Sequence, residues 1–197
     1  MEDLRITKTK KALKNSFVYL LGVKPLSKFN VTDICQKANI NRVTFYSHYK
    51  SKEDLLENII DENLTTIVNH VNYDLTISSK ENKTATILKS LAKSVILFIQ
   101  NSHCIKYALN NDEHDTILNL IMTKSSDIFL SFLKDIFRNS SPTIQISNLK
   151  DLILGGFAGI ILTEIIHKEE EANFELILKD IYFVIDKLIE VNILPRN

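Results

Sequence analysis

From Arg5 to Val23 the apolar residues Ile6, Leu13, Phe17, Leu20 and Leu21 recur at three- and four-residue steps, with Lys8, Lys10, Lys11 and Lys14 nearby. That period predicts a first amphipathic helix. The connection "GVKPLSKFN" follows, and Asn30 then stands as an N-cap with Asp33 at the third helical position, a variant of the capping box. A second helix is expected over Val31 to Ala38, with Ile34, Cys35 and Ala38 facing inward. It halts at "ANIN", where Asn39 is a residue type able to take the left-handed conformation. Asn41 caps a third, short helix, which "KSKED" closes. Ser51 with Asp54 opens a fourth, in which Leu55, Leu56, Ile59, Ile60, Leu64, Ile67, Val68 and Val71 hold helical spacing for about five turns.

The polar stretch "NYDLTISSKENK" is the expected boundary. Beyond it, periodicity predicts helices near 84–101, 103–110, 115–138, 148–168 and 173–192, separated by "NNDEHD", "RNSSPTIQIS" and "EEEAN". The expected fold class is all-α. A three-helix module fills residues 1–52, a connecting helix runs to about 71, and an apolar helical bundle fills 72–197. Composition agrees: four glycines and three prolines in 197 residues give few turns with which to punctuate many short strands.

Zero net charge conceals a segregation. Residues 1–52 hold eleven Lys/Arg against three acidic residues, a net +8, and residues 53–197 hold thirteen against twenty-one, a net −8. A basic quarter joined to an acidic remainder suits a protein that meets a polyanion at one end. A lysine-rich solvated face would explain the charge alone equally well. The N-terminus lacks an apolar signal core, and the run "LILGGFAGIIL" is too short to span a bilayer, so a cytoplasmic protein with no membrane partner is expected.

The segment "NRVTFYSHYK" mixes aromatic bulk with hydrogen-bonding groups. At 100° per residue, Phe45 and Tyr49 fall within about 40° of each other, while Arg42, Val43, Thr44, Tyr46, Ser47 and His48 spread over the remaining arc. The two rings therefore anchor the helix and leave the others facing outward. Two short helices joined by a tight turn and backed by a first helix make a helix-turn-helix. Its outward residues suit a major groove: Arg offers a fork to guanine, Thr and His offer hydrogen bonds, Val touches a thymine methyl and Tyr46 reaches phosphate.

These residues resemble the TetR family of bacterial transcriptional regulators. The stretch "NVTDICQKANINRVTFYSHYKSKEDLL" is similar to the family's Thr/Val-x-Asp-Ile-Ala start, Ala-Gly-Val turn, Thr-Phe-Tyr-x-His-Phe recognition helix and Lys-x-Lys-x-x-Leu opening of the fourth helix. The resemblance implies DNA contact by Thr32, by Arg42, Val43, Thr44, Tyr46 and His48, and by Lys52. Asn39 replaces the usual turn glycine, Cys35 the usual alanine and Tyr49 the usual phenylalanine. "LILGGFAGIILTEII" resembles the eighth helix of Gram-positive members, which with the ninth forms a two-fold four-helix dimer interface. That implies a homodimer joined through Gly155, Gly156 and Gly159; tight packing inside one subunit is the alternative use of three helical glycines.

For the second half, Phe98, Tyr107, Phe129, Phe132 and Phe137 read first as core, some of them able to line a ligand cavity. The candidate ligand-binding residues are Phe98, His103, Tyr107 and Phe129, with His114 also beside a helix break. Cys35 and Cys104 read as buried hydrophobes; a redox or metal role for Cys104 beside His103, or a metal site from His103 and His114, has no supporting ligand spacing. No metal and no cofactor are expected. There is no Gly-rich phosphate loop, no GxSxG, no HExxH and no clustered carboxylate pair, so an enzyme is not expected either. The resulting expectation is a homodimeric regulator bound to a double-stranded DNA operator, a repressor released by a small-molecule effector. A ligand-sensing adaptor or coactivator acting through protein contacts is the alternative.

Overall fold

The structure, a computed structural model of the chain, describes residues 4–77, 83–101, 114–138, 144–166 and 173–195. Among them every regular element is helical: α1 (Leu4–Leu21), a 3-10 turn (Leu26–Lys28), α2 (Val31–Ala38), α3 (Arg42–Tyr46), α4 (Lys52–Ile77), α5 (Lys83–Asn101), α6 (His114–Ile136), α7 (Ile146–Ile166) and α8 (Phe174–Glu190). The helix expected over 103–110 lies outside the described residues, as do His103, Cys104 and Tyr107. None of the described helices is long and apolar enough to cross a membrane.

The chain divides into two compact units. One holds the described residues up to Glu62 and from His114 to Leu120, and the other holds the remainder. In the first, Leu13, Phe17, Leu20 and Leu21 of α1 are buried, as are Ile34 and Cys35 of α2 and Phe45 of α3. The edge of Phe29 meets Phe17 at 5.4 Å between ring centres. Ile6, placed by its period on the same face of α1, is instead exposed near the helix start. Burial pushes the Cys35 thiol up from its ordinary range, with the Arg42 charge opposing, so it stays protonated and packs as a small apolar group.

Helix α4 runs six residues past Val71, so the first half of the expected boundary is helical. The reason is tertiary. Leu75 packs against the core of the second unit, and the Asp74 carboxylate accepts a hydrogen bond from Ser90 Oγ on α5 at 2.6 Å. These contacts outweigh the polar character of the stretch.

In the second unit, α5 packs along α8. Leu88, Leu91 and Ala92 share a core with Ile177, Ile181, Ile185 and Ile189, into which Phe129, Leu133 and Leu149 also fit. Lys89 of α5 forms an ion pair with Asp186 of α8 at 2.6 Å, and Lys150 of α7 donates to Ser126 Oγ of α6 at 2.9 Å. After α8, Asn192 takes φ 59°, and the N–H groups of Ile193 and Leu194 both return to Leu188 O at 3.0 Å. Leu194 is thereby folded back and fully buried.

Asn39 occupies the left-handed region at φ 54°, ψ 45°, and its N–H with that of Ile40 closes the end of α2 onto Gln36 O and Cys35 O. A β-branched residue there would be strained by about 1–2 kcal/mol. Asn39→Val should therefore lower stability by about that amount while Asn39→Gly stays within about 0.5 kcal/mol of the parent. Urea denaturation of the three chains checks this.

Candidate nucleic-acid interface

The reading module is assembled by caps. Asn30 Oδ1 accepts from the N–H groups of Thr32 (2.8 Å) and Asp33 (3.2 Å), and Asp33 Oδ2 accepts from Asn30 N–H at 2.8 Å, completing the reciprocal box that opens α2. Asn41 Oδ1 accepts from Val43 N–H at 2.9 Å and opens α3. Ser51 Oγ accepts from Asp54 N–H at 3.1 Å, while the Asp54 carboxylate reaches one residue further back than a standard box, to Lys50 N–H at 2.7 Å. Each cap replaces solvent for backbone donors that a short helix otherwise leaves without partners.

Helix α3 itself is only Arg42–Tyr46. Ser47, His48 and Tyr49 continue as a looser turn, with the N–H groups of His48 and Tyr49 both directed to Phe45 O at 2.9 Å. The helix expected to reach Tyr49 therefore ends three residues earlier, yet the anchoring pair keeps its inward direction. Phe45 is fully buried and Tyr49 nearly so, their ring centres 5.7 Å apart, and Tyr49 Oη donates to Asn58 Oδ1 of α4 at 3.5 Å.

The outward set follows from that anchor. Arg42 is exposed, Val43 is 76% exposed and Tyr46 50% exposed, while Thr44 and His48 are half-buried. Thr32 lies half-buried in the first turn of α2. Tyr46 packs its ring edge against Phe45 at 5.4 Å, which steadies it without burying it. The face thus offers a guanidinium, two hydroxyl types, an imidazole and one branched apolar group, a mixture that water alone does not require.

Not all of the basic module's lysines face outward in this way. Lys14 of α1 forms an ion pair with Glu62 of α4, Lys24 lies 3.8 Å from Asp33, and the Lys37 ammonium sits 3.5 Å from the centre of the Tyr19 ring. Lys52, at the start of α4, donates to Leu26 O at 2.7 Å and Phe29 O at 2.8 Å. Lys8, Lys11, Lys28, Arg42 and Lys50 are exposed, and among the described residues no ion pair holds them. Sequence pattern missed these lysine pairings because the partners are main-chain carbonyls, a ring or a carboxylate distant along the chain.

Residues 18–59 match the family model for bacterial regulatory proteins of the tetR family. That segment is of the TetR type. A stretch of 111 residues is 32% identical to YxbF of Bacillus subtilis, named an uncharacterized HTH-type transcriptional regulator; it covers 56% of this chain and 28% of that protein. The chain therefore spans under a third of the length of that curated relative. A TetR transcriptional regulator from Streptococcus agalactiae superimposes with a TM-score of 0.65 at 25% identity, over 93% of this chain and 97% of the other. The regulator FadR from Bacillus subtilis, solved in complex with stearoyl-CoA, superimposes with a TM-score of 0.70 at 13% identity, over 89% and 96%. The last likeness is one of fold. The relatives are named as transcriptional regulators, and the Streptococcus agalactiae regulator shares the all-helical architecture.

The remaining expected site residues fall elsewhere. Phe129 is buried in the core of the second unit, and the side chain of Phe98 lies outside the described residues. Gly155, Gly156 and Gly159 are exposed on α7, and a Cβ added to any of them would meet no heavy atom within 4 Å among the described residues. In this TetR module the inward and outward sides of α3 should respond oppositely to truncation. Phe45→Ala should cost about 3–5 kcal/mol of stability as a large buried ring is lost, whereas Val43→Ala should change stability by less than about 0.5 kcal/mol. Chemical denaturation followed by circular dichroism measures both.

Proposed function

We propose that this chain is a sequence-specific DNA-binding transcriptional regulator, a repressor released by a small-molecule effector. The observation that carries the reading is the division of α3: Phe45 is sealed inside while Arg42, Val43 and Tyr46 stand in solvent. A solvated helix has no use for a 76%-exposed valine beside an arginine, but a groove floor offers a thymine methyl to one and guanine O6 and N7 to the other. Thr32, Thr44 and His48 supply further hydrogen-bonding groups around them, and Tyr46 is placed to meet a phosphate wall. Exposed Lys8, Lys11, Lys28 and Lys50 add the sequence-independent attraction of a polyanion.

In this reading residues 1–52 are the DNA-binding module, and 72–197 hold the effector and join two copies. Support for the effector comes from the second unit's apolar core, where Phe129 sits, and from a fold neighbour that holds stearoyl-CoA. That favours an apolar effector, with Phe98, His103 and Tyr107 as further candidate contacts. Support for the homodimer is an apolar face left exposed among the described residues. Leu152 is 64% exposed on the same side of α7 as Gly155, Gly156 and Gly159, and Leu176, Phe183 and Val184 of α8 are exposed along one stripe that Val191 at its C-cap continues. Glycine costs about 1 kcal/mol each in a helix relative to alanine, and close approach of a second copy would offset it.

Selection of bound duplexes from a random pool tests the central claim: a two-fold symmetric motif is expected, and no enrichment would instead favour an adaptor acting through protein contacts. On the selected duplex, Arg42→Ala should weaken binding by about 1–3 kcal/mol and relax preference at one base position in each half-site. An unchanged motif and affinity would remove α3 as the reader. For the dimer, Gly156→Leu should leave the first unit folded but yield monomers in sedimentation equilibrium, with operator affinity falling because the two half-sites no longer bind together. A parent chain that is already monomeric at micromolar concentration would overturn the homodimer.

A further inference from the structure

We infer that Lys52 is a positioning residue that clasps the reading module closed, rather than a phosphate contact. The inference rests on the DNA-binding reading above. Lys52 is the first residue of α4, yet its side chain turns back and is only 19% exposed. Its ammonium donates to Leu26 O at 2.7 Å and to Phe29 O at 2.8 Å, spanning 26 and 23 positions of sequence, and lies 5.5 Å from the centre of the Phe29 ring. The Glu53 carboxylate stands 3.9 Å away on the solvent side.

The two acceptors define what is held. Leu26 opens the 3-10 turn, and Phe29 closes it immediately before Asn30, the cap of α2. Chain connectivity runs from Asn30 through α2, the Asn39 turn, α3 and the Ser51 cap to Lys52, and the ammonium then returns to the residue before Asn30. The segment carrying Thr32 and Arg42 is therefore a loop whose two ends are tied by one cation. Charge-assisted hydrogen bonds of this length are stronger than neutral ones, and the half-buried site shields them from salt. Of the three ammonium donors, two are committed to main-chain oxygens. A phosphate gripping Nζ as its main partner would have to pull it off the clasp and past Glu53.

The functional consequence is angular. With the clasp shut, the start of α2 and the start of α4 move together, so a displacement of α4 carries both reading helices as one body. With the clasp open, the first turn of α2 is free to shift against α3, and the base contacts lose their common register while the backbone charges remain.

The test uses the full-length chain, with a random-sequence 24-base-pair duplex and the duplex selected for the parent as probes. Salt titration of the parent gives the slope of log affinity against log salt, and the ratio of the two affinities gives its specificity. Lys52→Met, confirmed folded by circular dichroism at the working temperature, should keep the parent's slope and lose about tenfold in the ratio, the discrimination that one misplaced bidentate contact carries. Lys52→Gln, which retains an uncharged donor one bond shorter in reach, should keep the slope and lose only part of the ratio. Should Met unfold the module, Gln still decides the matter. A slope reduced by about 0.9 in either variant marks a lost phosphate contact and overturns the inference. So does an unchanged ratio in folded Lys52→Met. A parent that binds neither duplex would instead sink the DNA-binding reading, an outcome distinct from both.

Discussion

A helix of five residues does not hold itself together in water, because closing its first turn fixes three residues for a single hydrogen bond. What holds α3 is the burial of Phe45, with Tyr49 packed beside it and tied to Asn58. Everything outward on that helix inherits its direction from this anchor. If Phe45 did not fill its buried place where α3 meets α2, the directions of Arg42, Val43 and Tyr46 would be undefined, however suitable their chemistry. Caps at Asn30, Asn41 and Ser51 contribute the second constraint, because each fixes where a helix starts and thus which residues fall on the outward side.

The basic charge of the first unit divides between two uses. Lys14, Lys24, Lys37 and Lys52 spend theirs inside the module, on a carboxylate, a capping aspartate, a ring face and two carbonyls. The exposed remainder carries the field that a polyanion would feel. Paired surface lysines add little stability individually, but they set how much of the net +8 counts toward salt-dependent binding. Charge totals alone overstate the phosphate-facing count.

The second unit is built differently. Its core is a continuous apolar cluster in which α5 and α8 share an interface, while one side of α7 and a stripe of α8 remain apolar and exposed. Leu152, Leu176 and Phe183 stand in water on these faces, an exposure that a covering surface would relieve. The same logic applies to the α7 glycines, where an added Cβ would meet no heavy atom within 4 Å among the described residues. The Tyr182 hydroxyl is pushed up by burial and by the neighbouring Asp74 charge, a small polar cluster that α4, α5 and α8 bring together inside an otherwise apolar contact.

The local structure was legible in the sequence wherever short-range physics decides it. The span Val31–Ala38, the Asn30 and Asp33 box, the left-handed Asn39 and the inward Phe45 and Tyr49 all follow from side chains acting within a few residues of themselves. The helical period likewise set the fold class, since it repeats over every long segment. The far end of α4 was not legible, because its polar residues are held helical by Leu75 and Ser90 contacts made across the fold. Nor was the end of α3, where packing of Tyr49 matters more than helix continuation. The direction of Lys52 was the least legible of all. A lysine at a helix start looks the same in sequence whether it faces a phosphate or turns inward, and its two carbonyl partners, being main chain, leave no residue-type signature at all. Only the tertiary structure brings them within reach of the ammonium.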